Sequence, residues 1–157
     1  MTENTVNNNN EIIERVLSGV KKNPYVQEMK QFNQHGCVST FEHCESVAKF
    51  SYKMDEMLHL NSDRNTLLMG AMLHDFYLYD WHEDDDGAHR LHGFTHANTA
   101  SMNAKRYFQV DEDVSHVIDS HMWPLTLNSL PKSREAWIVC ISDKCVSLYE
   151  TLFRRNE

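Results

Sequence analysis

Helical spacing of apolar residues, with little to interrupt it, is the feature that most limits the fold of this chain. In the stretch that begins at Ser39, the residues His43, Val47, Phe50 and Met54 fall at steps of three and four. That spacing places side chains on one face of an α-helix. Because the 157 residues include only 5 Gly and 3 Pro, turns for a many-stranded sheet are scarce. We therefore predict an all-α fold.

Length and composition predict a single helical domain. A chain of this length buries roughly two-thirds of its unfolded surface in one core. We predict a helical bundle of about seven helices, with no significant sheet, over residues 11–157. Residues 1–10 include a run of four asparagines and little apolar content, which predicts a disordered N-terminal tail.

Residues that favour the start of a helix divide this domain into its elements. Ser39 and Glu42 have the spacing of a capping box, and the loop before them is predicted to run from Gln34 to Ser39. Gly93 favours a helix that begins after His92. The remaining predicted start positions are the segment 61–63, Thr95, Asp111 and Ser133.

Charge and cysteine usage exclude several functions. A net charge of -8 and a pI near 5.6 argue against binding to a nucleic-acid polymer or an anionic membrane, because no basic stripe is present. No apolar run approaches the ~18 residues of a membrane span. The four cysteines lack CxxC spacing, which predicts reduced thiols in a cytoplasmic protein.

Five helical segments each place a metal-competent group on an apolar face. A single histidine in such a position is more often a hydrogen-bonded core residue than a ligand. A buried carboxylate, however, costs several kcal/mol unless a positive charge meets it. Imidazole and carboxylate together suit Fe, Mn, Zn, Co or Ni rather than Ca. The candidate ligands are His43, the pair His74 and Asp75, His96, His121 and Asp143.

The order His43, His74-Asp75, Asp143 resembles the HD-domain superfamily of metal-dependent phosphohydrolases. The resemblance extends over residues 39–152. It implies a helical fold in which His43, His74, Asp75 and Asp143 hold a divalent transition metal. It also implies a phosphate ester or phosphoanhydride of a small molecule or nucleotide as the substrate.

His96 and His121 occupy positions at which some HD proteins carry ligands for a second metal, with Asp75 as the bridge. Two ions about 3.5–4 Å apart would clamp a phosphoryl group and activate water near neutral pH. The alternative is a protein with one ion, in which both histidines contact either its ligands or the phosphate.

The resemblance also implies two catalytic residues. Asp75 would accept a proton from water, and Lys144, in the basic position next to Asp143, would orient the phosphate. Many family members continue the His-Asp pair with a glycine and a basic residue, whereas here Phe76 to Tyr79 follow. One customary phosphate contact is therefore predicted to be missing.

Two other functions remain open on the same residues. Some HD proteins use a di-iron pair for oxygen-dependent cleavage, and that chemistry needs the same six ligands. An HD domain can also act as a nucleotide-binding sensor without catalysis. Metal analysis with spectroscopy separates the first from a hydrolase, and nucleotide binding without hydrolysis identifies the second.

Overall fold

The fold is a bundle of α-helices with one short β-hairpin, seen in a computed structural model that describes residues 3–35, 37–80 and 92–154. The all-α prediction is confirmed. A single 3-10 turn (Met29–Gln31) follows α2, and the two strands pair antiparallel. In chain order the elements are α1 (Glu3–Lys21), α2 (Pro24–Glu28), β1 (Asn33–His35), β2 (Val38–Ser39), α3 (Thr40–Leu58), α4 (Arg64–Leu73), α5 (His92–Phe108), α6 (Glu112–Ser120) and α7 (Arg134–Phe153).

The core lies where α3, α4, α6 and α7 meet. Helix α3 packs against α4 and α7, α6 packs against α4 and α5, and α1 packs against α4. Large side chains with no exposed surface, such as Leu67, Met72 and Ile118, fill the space between these helices. Among the described helices, none has the length and apolar character needed to cross a membrane.

Four of the predicted helix starts are confirmed by side-chain caps. Each capping oxygen accepts a hydrogen bond from a backbone N–H three residues further on, which stabilises the helix by about 1 kcal/mol. The four caps are Ser39 for α3, Asp63 for α4, Asp111 for α6 and Ser133 for α7.

Two helices begin earlier than predicted. Helix α5 begins at His92, so the prediction that Thr95 caps it was wrong. Gly93 does not prevent this, because one glycine costs a helix only about 1 kcal/mol relative to alanine. Helix α1 begins at Glu3, within the segment predicted to be a disordered tail. Once its apolar residues anchor a helix, each added residue gains a backbone hydrogen bond.

A close approach of α4 and α6 brings the C-terminal ends of these two helices together at the candidate site. Gly70 on α4 lies against Val117 on α6, and a Cβ at position 70 would fall 2.8 Å from the Val117 Cβ. Only a glycine permits this separation. The two helices then end side by side, and the rings of His74 and His121 lie 4.9 Å apart, centroid to centroid.

Candidate metal centre

His43 lies in the first turn of α3 and is completely buried. The capping box fixes where this helix begins: Ser39 Oγ accepts from Glu42 N at 3.3 Å, and the Glu42 carboxylate accepts from Ser39 N at 3.0 Å. Val47, one turn further on, is buried on the same face. The register of α3 therefore directs His43 into the core.

His74 and His121 follow the last turns of α4 and α6, where backbone carbonyls hold their rings. His74 Nδ1 donates to the Ala71 carbonyl at 2.8 Å, and His121 Nδ1 donates to the Ile118 carbonyl at 2.7 Å. A neutral imidazole that donates through Nδ1 keeps its lone pair on Nε2. Both histidines can therefore offer Nε2 to a cation.

The carboxylate of Glu150 holds the ring of His43 in a similar way. Its Oε2 lies 2.8 Å from His43 Nδ1, and both groups are buried. Carboxylates in this position orient a ligating imidazole and raise its basicity. Glu150 was not among the residues predicted from the sequence. Its spacing of seven from Asp143, two turns along α7, is the signal that would have identified it.

The carboxylate of Asp75 lies between two pairs of imidazoles. Its Oδ2 is 3.4 Å from His74 Nε2 and 3.9 Å from His43 Nε2. Its Oδ1 is 3.2 Å from His96 Nε2 and 3.5 Å from His121 Nε2. The six residues thus include two groups of three possible ligands, and Asp75 belongs to both groups. Each of these two groups is compact enough to hold a metal ion.

Asp143 extends the first of these groups from α7. Its Oδ1 lies 3.2 Å from His43 Nε2 and 3.7 Å from His74 Nε2. Ser147 Oγ, one turn further along α7, donates to the same oxygen at 3.1 Å. The structure therefore brings together all six candidate ligands that the sequence predicts.

Unsatisfied polar atoms show that these residues fit a cation. His74 Nε2 and Asp75 Oδ1 are buried, and neither has a hydrogen-bond partner among the described residues. Each such atom costs about 1–3 kcal/mol. The Nε2 atoms of His96 and His121 also lie 3.0 Å apart, a separation that needs a proton or a cation between them. A donor set of imidazoles and carboxylates suits divalent transition metals.

The histidines of the centre differ in their affinity for a proton. Burial alone would lower the pKa of His43, but its hydrogen bonds with Asp143 and Glu150 outweigh burial and raise this pKa to about 10. Burial and the charge of His74 lower the pKa of His121 to about 3. Without a metal ion, His43 is therefore protonated at neutral pH and His121 is not.

Both aspartates remain ionised under the same conditions. Burial opposes ionisation, yet the charge on His74 holds the pKa of Asp75 well below its ordinary value. For Asp143 burial is again outweighed, here by the hydrogen bond with His43 and by the nearby imidazole of His74, and its pKa is also well below the ordinary value. A metal ion that binds these carboxylates would displace protons from the imidazoles beside them.

A cavity of about 540 Å³ borders the centre. Four of the candidate ligands, Asp75, His96, His121 and Asp143, form one side of it. Apolar side chains form another side, and the remainder is completed by small or polar residues. These lining residues are Met122, Pro124 and Leu125 on the apolar side, and Gln34, Gly93, Lys144 and Ser147 elsewhere.

Lys144 lines this cavity next to Asp143, and its ammonium group is held by the backbone. Nζ donates to the His121 carbonyl at 2.8 Å and to the Cys140 carbonyl at 3.2 Å. These contacts keep the positive charge near the end of α6, within the wall that also carries His121. The geometry places Lys144 beside the candidate metal ligands, and its catalytic role stays a prediction.

Gln34 is a further site residue that was not predicted from the sequence. Its Nε2 donates to Asp75 Oδ2 at 2.6 Å, and its Oε1 accepts from the hydroxyl of Tyr77 at 2.6 Å. Gln34 belongs to β1, in a segment predicted to be a loop. No local pattern marks it, because its place depends on how a very short hairpin folds back onto α3.

The aromatic run after Asp75 divides between core and site. Phe76 is buried and packs against Phe108 at 5.7 Å between ring centroids, whereas Tyr77 contacts Gln34. Trp81, the acidic tract 83–86, His82, His89 and Arg90 lie outside the described residues.

Together these features define a class of protein: a helical bundle whose central helices assemble imidazoles and carboxylates into a candidate metal centre. The family model of the HD domain matches residues 40–148, a segment that includes all six candidate ligands. The chain belongs to the HD domain family. No curated protein and no solved structure matches the chain.

Proposed function

We propose that this chain is a metal-dependent phosphohydrolase that cleaves a phosphate ester or phosphoanhydride of a small molecule or nucleotide. The observation that carries this proposal is the position of Asp75, whose two oxygens each face a different pair of imidazoles. Membership in the HD domain family supports it, because that family consists largely of metal-dependent hydrolases.

The donor atoms are sufficient for two divalent transition-metal ions. His43, His74, Asp75 and Asp143 would hold the first ion, and Asp75, His96 and His121 the second. When bound, such ions activate water and neutralise the charge of the phosphoryl oxygens. Fe, Mn, Zn, Co and Ni are the metals that suit this mixture of ligands.

Side chains around the cavity would orient the substrate, accept the proton of water and exclude bulk solvent. Lys144 would orient the phosphate through its ammonium group, which lies in the same wall as His121. Asp75, which lines the cavity and belongs to both groups of ligands, would accept the proton of the attacking water. The apolar side at Met122 and Leu125 would take the non-phosphate part of the substrate and exclude bulk water.

The test is a panel of phosphomonoesters, nucleotides and cyclic dinucleotides, each assayed with Mn, Fe, Co, Ni and Mg. We expect release of phosphate or of a nucleotide product in the presence of at least one transition metal. Asp75→Ala should abolish it, whereas Asp113→Ala, a matched change at an exposed position on α6, should leave it unchanged. Hydrolysis that survives Asp75→Ala would reject the site.

A di-iron oxygenase is the second candidate, because the same carboxylate and imidazole groups could hold an iron pair. The two functions differ in their need for oxygen. Iron-loaded protein that converts an organic substrate only in the presence of O₂ would replace the hydrolase proposal. Phosphate release under anaerobic conditions would support the hydrolase proposal.

A further inference from the structure

We propose that Gln34 is a positioning residue that fixes the rotation of the Asp75 carboxylate, so that each oxygen serves a different pair of histidines. Gln34 Nε2 donates to Asp75 Oδ2 at 2.6 Å. This is shorter than any of the four Asp75 contacts to imidazole nitrogens, which range from 3.2 to 3.9 Å. The role presupposes the proposed metal-dependent function, so the test must separate the two.

Two hydroxyl groups determine which end of the Gln34 amide faces Asp75. The Tyr77 hydroxyl donates to Gln34 Oε1 at 2.6 Å, and Thr40 Oγ1 lies 3.3 Å from the same oxygen. Tyr77 is 2% exposed and Thr40 is completely buried, so water does not replace these partners. With Oε1 occupied by donors, the NH₂ group of the amide is directed at the carboxylate.

The network joins three segments that are distant in sequence. Gln34 lies on β1, Thr40 is the first residue of α3, and Tyr77 follows Asp75 by two positions. The hairpin is tied to α3 by the Thr40 N–H, which donates to the Phe32 carbonyl at 2.8 Å. The hairpin therefore supplies Gln34 to the candidate centre, in addition to connecting α2 to α3.

A neutral amide is well suited to this task. A carboxylate oxygen has more than one lone-pair direction, so Oδ2 can accept the N–H of Gln34 and still face His43 and His74. An amide brings no positive charge that would repel a cation. While Oδ2 is held, Oδ1 points at His96 and His121. Without the amide, the carboxylate could rotate and both oxygens would move. The second group would lose more affinity, because it has only His96 and His121 besides Asp75, whereas the first group keeps three other ligands.

The experiment compares Gln34→Leu with wild-type full-length protein by Mn²⁺ titration calorimetry and by electron paramagnetic resonance. We expect wild type to bind two ions and to show a spin-coupled signal. In Gln34→Leu the affinity for the second ion should fall by about 10–100-fold, the range for partners of metal ligands, with a smaller change for the first. The coupled signal should give way to that of isolated Mn²⁺.

Tyr77→Phe provides a milder version of the same change, because it keeps the ring and removes only the hydroxyl that holds Gln34 Oε1. Tyr77→Phe should also lower the affinity for the second ion, but by a smaller factor than Gln34→Leu. Gln31→Leu, a matched substitution at an exposed position of the 3-10 turn, should leave both affinities unchanged.

Equal affinities for both ions in Gln34→Leu and wild type would overturn the proposal, as would an equal weakening of both. If Gln34→Leu loses its helical circular dichroism, the test is made on Tyr77→Phe that remains folded. An affinity for the second ion equal to that of wild type in Tyr77→Phe would then overturn the proposal. Wild-type protein that binds none of Mn, Fe, Co, Ni and Zn would instead reject the metal-dependent function from which this role follows.

Discussion

The Nε2 atoms of His96 and His121 lie 3.0 Å apart, although 25 positions separate the two residues in the sequence. Both nitrogens also lie within 3.5 Å of Asp75 Oδ1. Three ligand atoms from three different helical segments thus surround one point. This convergence is the structural basis for proposing a second metal ion.

His121→Ala should remove this second ion and leave the first. His43, His74 and Asp143 remain to hold the first, so the metal content measured after dialysis should fall from two ions to one. Loss of a direct ligand should lower activity by more than the ~100-fold typical of changes to the partners of ligands. His116→Ala is the matched control, because His116 lies outward on α6 and accepts from Lys132 N. Two retained ions in His121→Ala would contradict the assignment.

Gly70→Ala should destabilise the fold, because the added Cβ would meet the side chain of Val117. Overpacking of this kind costs about 1–3 kcal/mol, which exceeds the gain of about 1 kcal/mol from alanine in a helix. Urea denaturation measures the free energy of unfolding. The double variant Gly70→Ala, Val117→Ala should recover part of the loss.

Gly19→Ala is the matched control for that substitution. Position 19 lies on α1 with no atom within 4 Å of an added Cβ, so the alanine should be neutral or stabilising. A Gly70→Ala protein as stable as Gly19→Ala would show that α4 and α6 do not need their close approach.

Glu150→Gln should weaken the binding of the first metal ion by about 10–100-fold, since the amide cannot act as an anionic partner for His43 Nδ1. Competition with a chelator measures this affinity. Glu28→Gln, an exposed position on α2, should have no effect. An unchanged first affinity in Glu150→Gln would mean that His43 does not depend on this carboxylate.

Stability of the metal-free protein should fall as the pH rises from about 6.5 to about 10. The pKa of His43 is raised in the folded state, so its contribution is complete below the ordinary value of 6.5 and is lost as the pH passes about 10. Thermal unfolding in the presence of a chelator follows this loss. In Glu150→Gln one of the two carboxylates that raise this pKa is gone, so the decline should be smaller and should end at a lower pH. Identical pH profiles would contradict the prediction.

Lys144→Gln should reduce kcat/KM for a phosphorylated substrate by about 10–100-fold, the equivalent of one charge-assisted hydrogen bond. Metal content should remain at the wild-type value, because Lys144 contacts the carbonyl of His121 and not its ring. Lys132→Gln, at an exposed position, is the control. Wild-type kinetics in Lys144→Gln would remove this residue from the catalytic set.

Local rules predict the parts of this structure that depend on neighbours in sequence. The caps at Ser39 and Asp63 follow from side chains that satisfy the first N–H groups of a helix. The inward direction of His43 follows from its spacing with Val47. The same spacing fails for Phe50, which is exposed although the pattern puts it on one face with His43 and Val47.

The contacts of Gln34 and the early start of α5 show what such rules omit. Gln34 reaches Asp75 across 41 positions through a hairpin of only three and two residues, too short to carry a strand pattern. At Gly93 a weak local preference against helix was outweighed by the continuation of α5. For Gln34, tertiary contacts decide between local alternatives that differ by little free energy.

The carbonyls that hold His74 and His121 belong to the backbone, whereas His43 is held by a side chain. No point mutation of Ala71 or Ile118 removes a carbonyl, but a single codon change removes the carboxylate of Glu150. Mutation of a single neighbouring residue therefore leaves the orientation of His74 and His121 unchanged, whereas it can remove the group that orients His43. Descendants of this chain would be expected to lose the His43 side of the centre more readily than the side at His121.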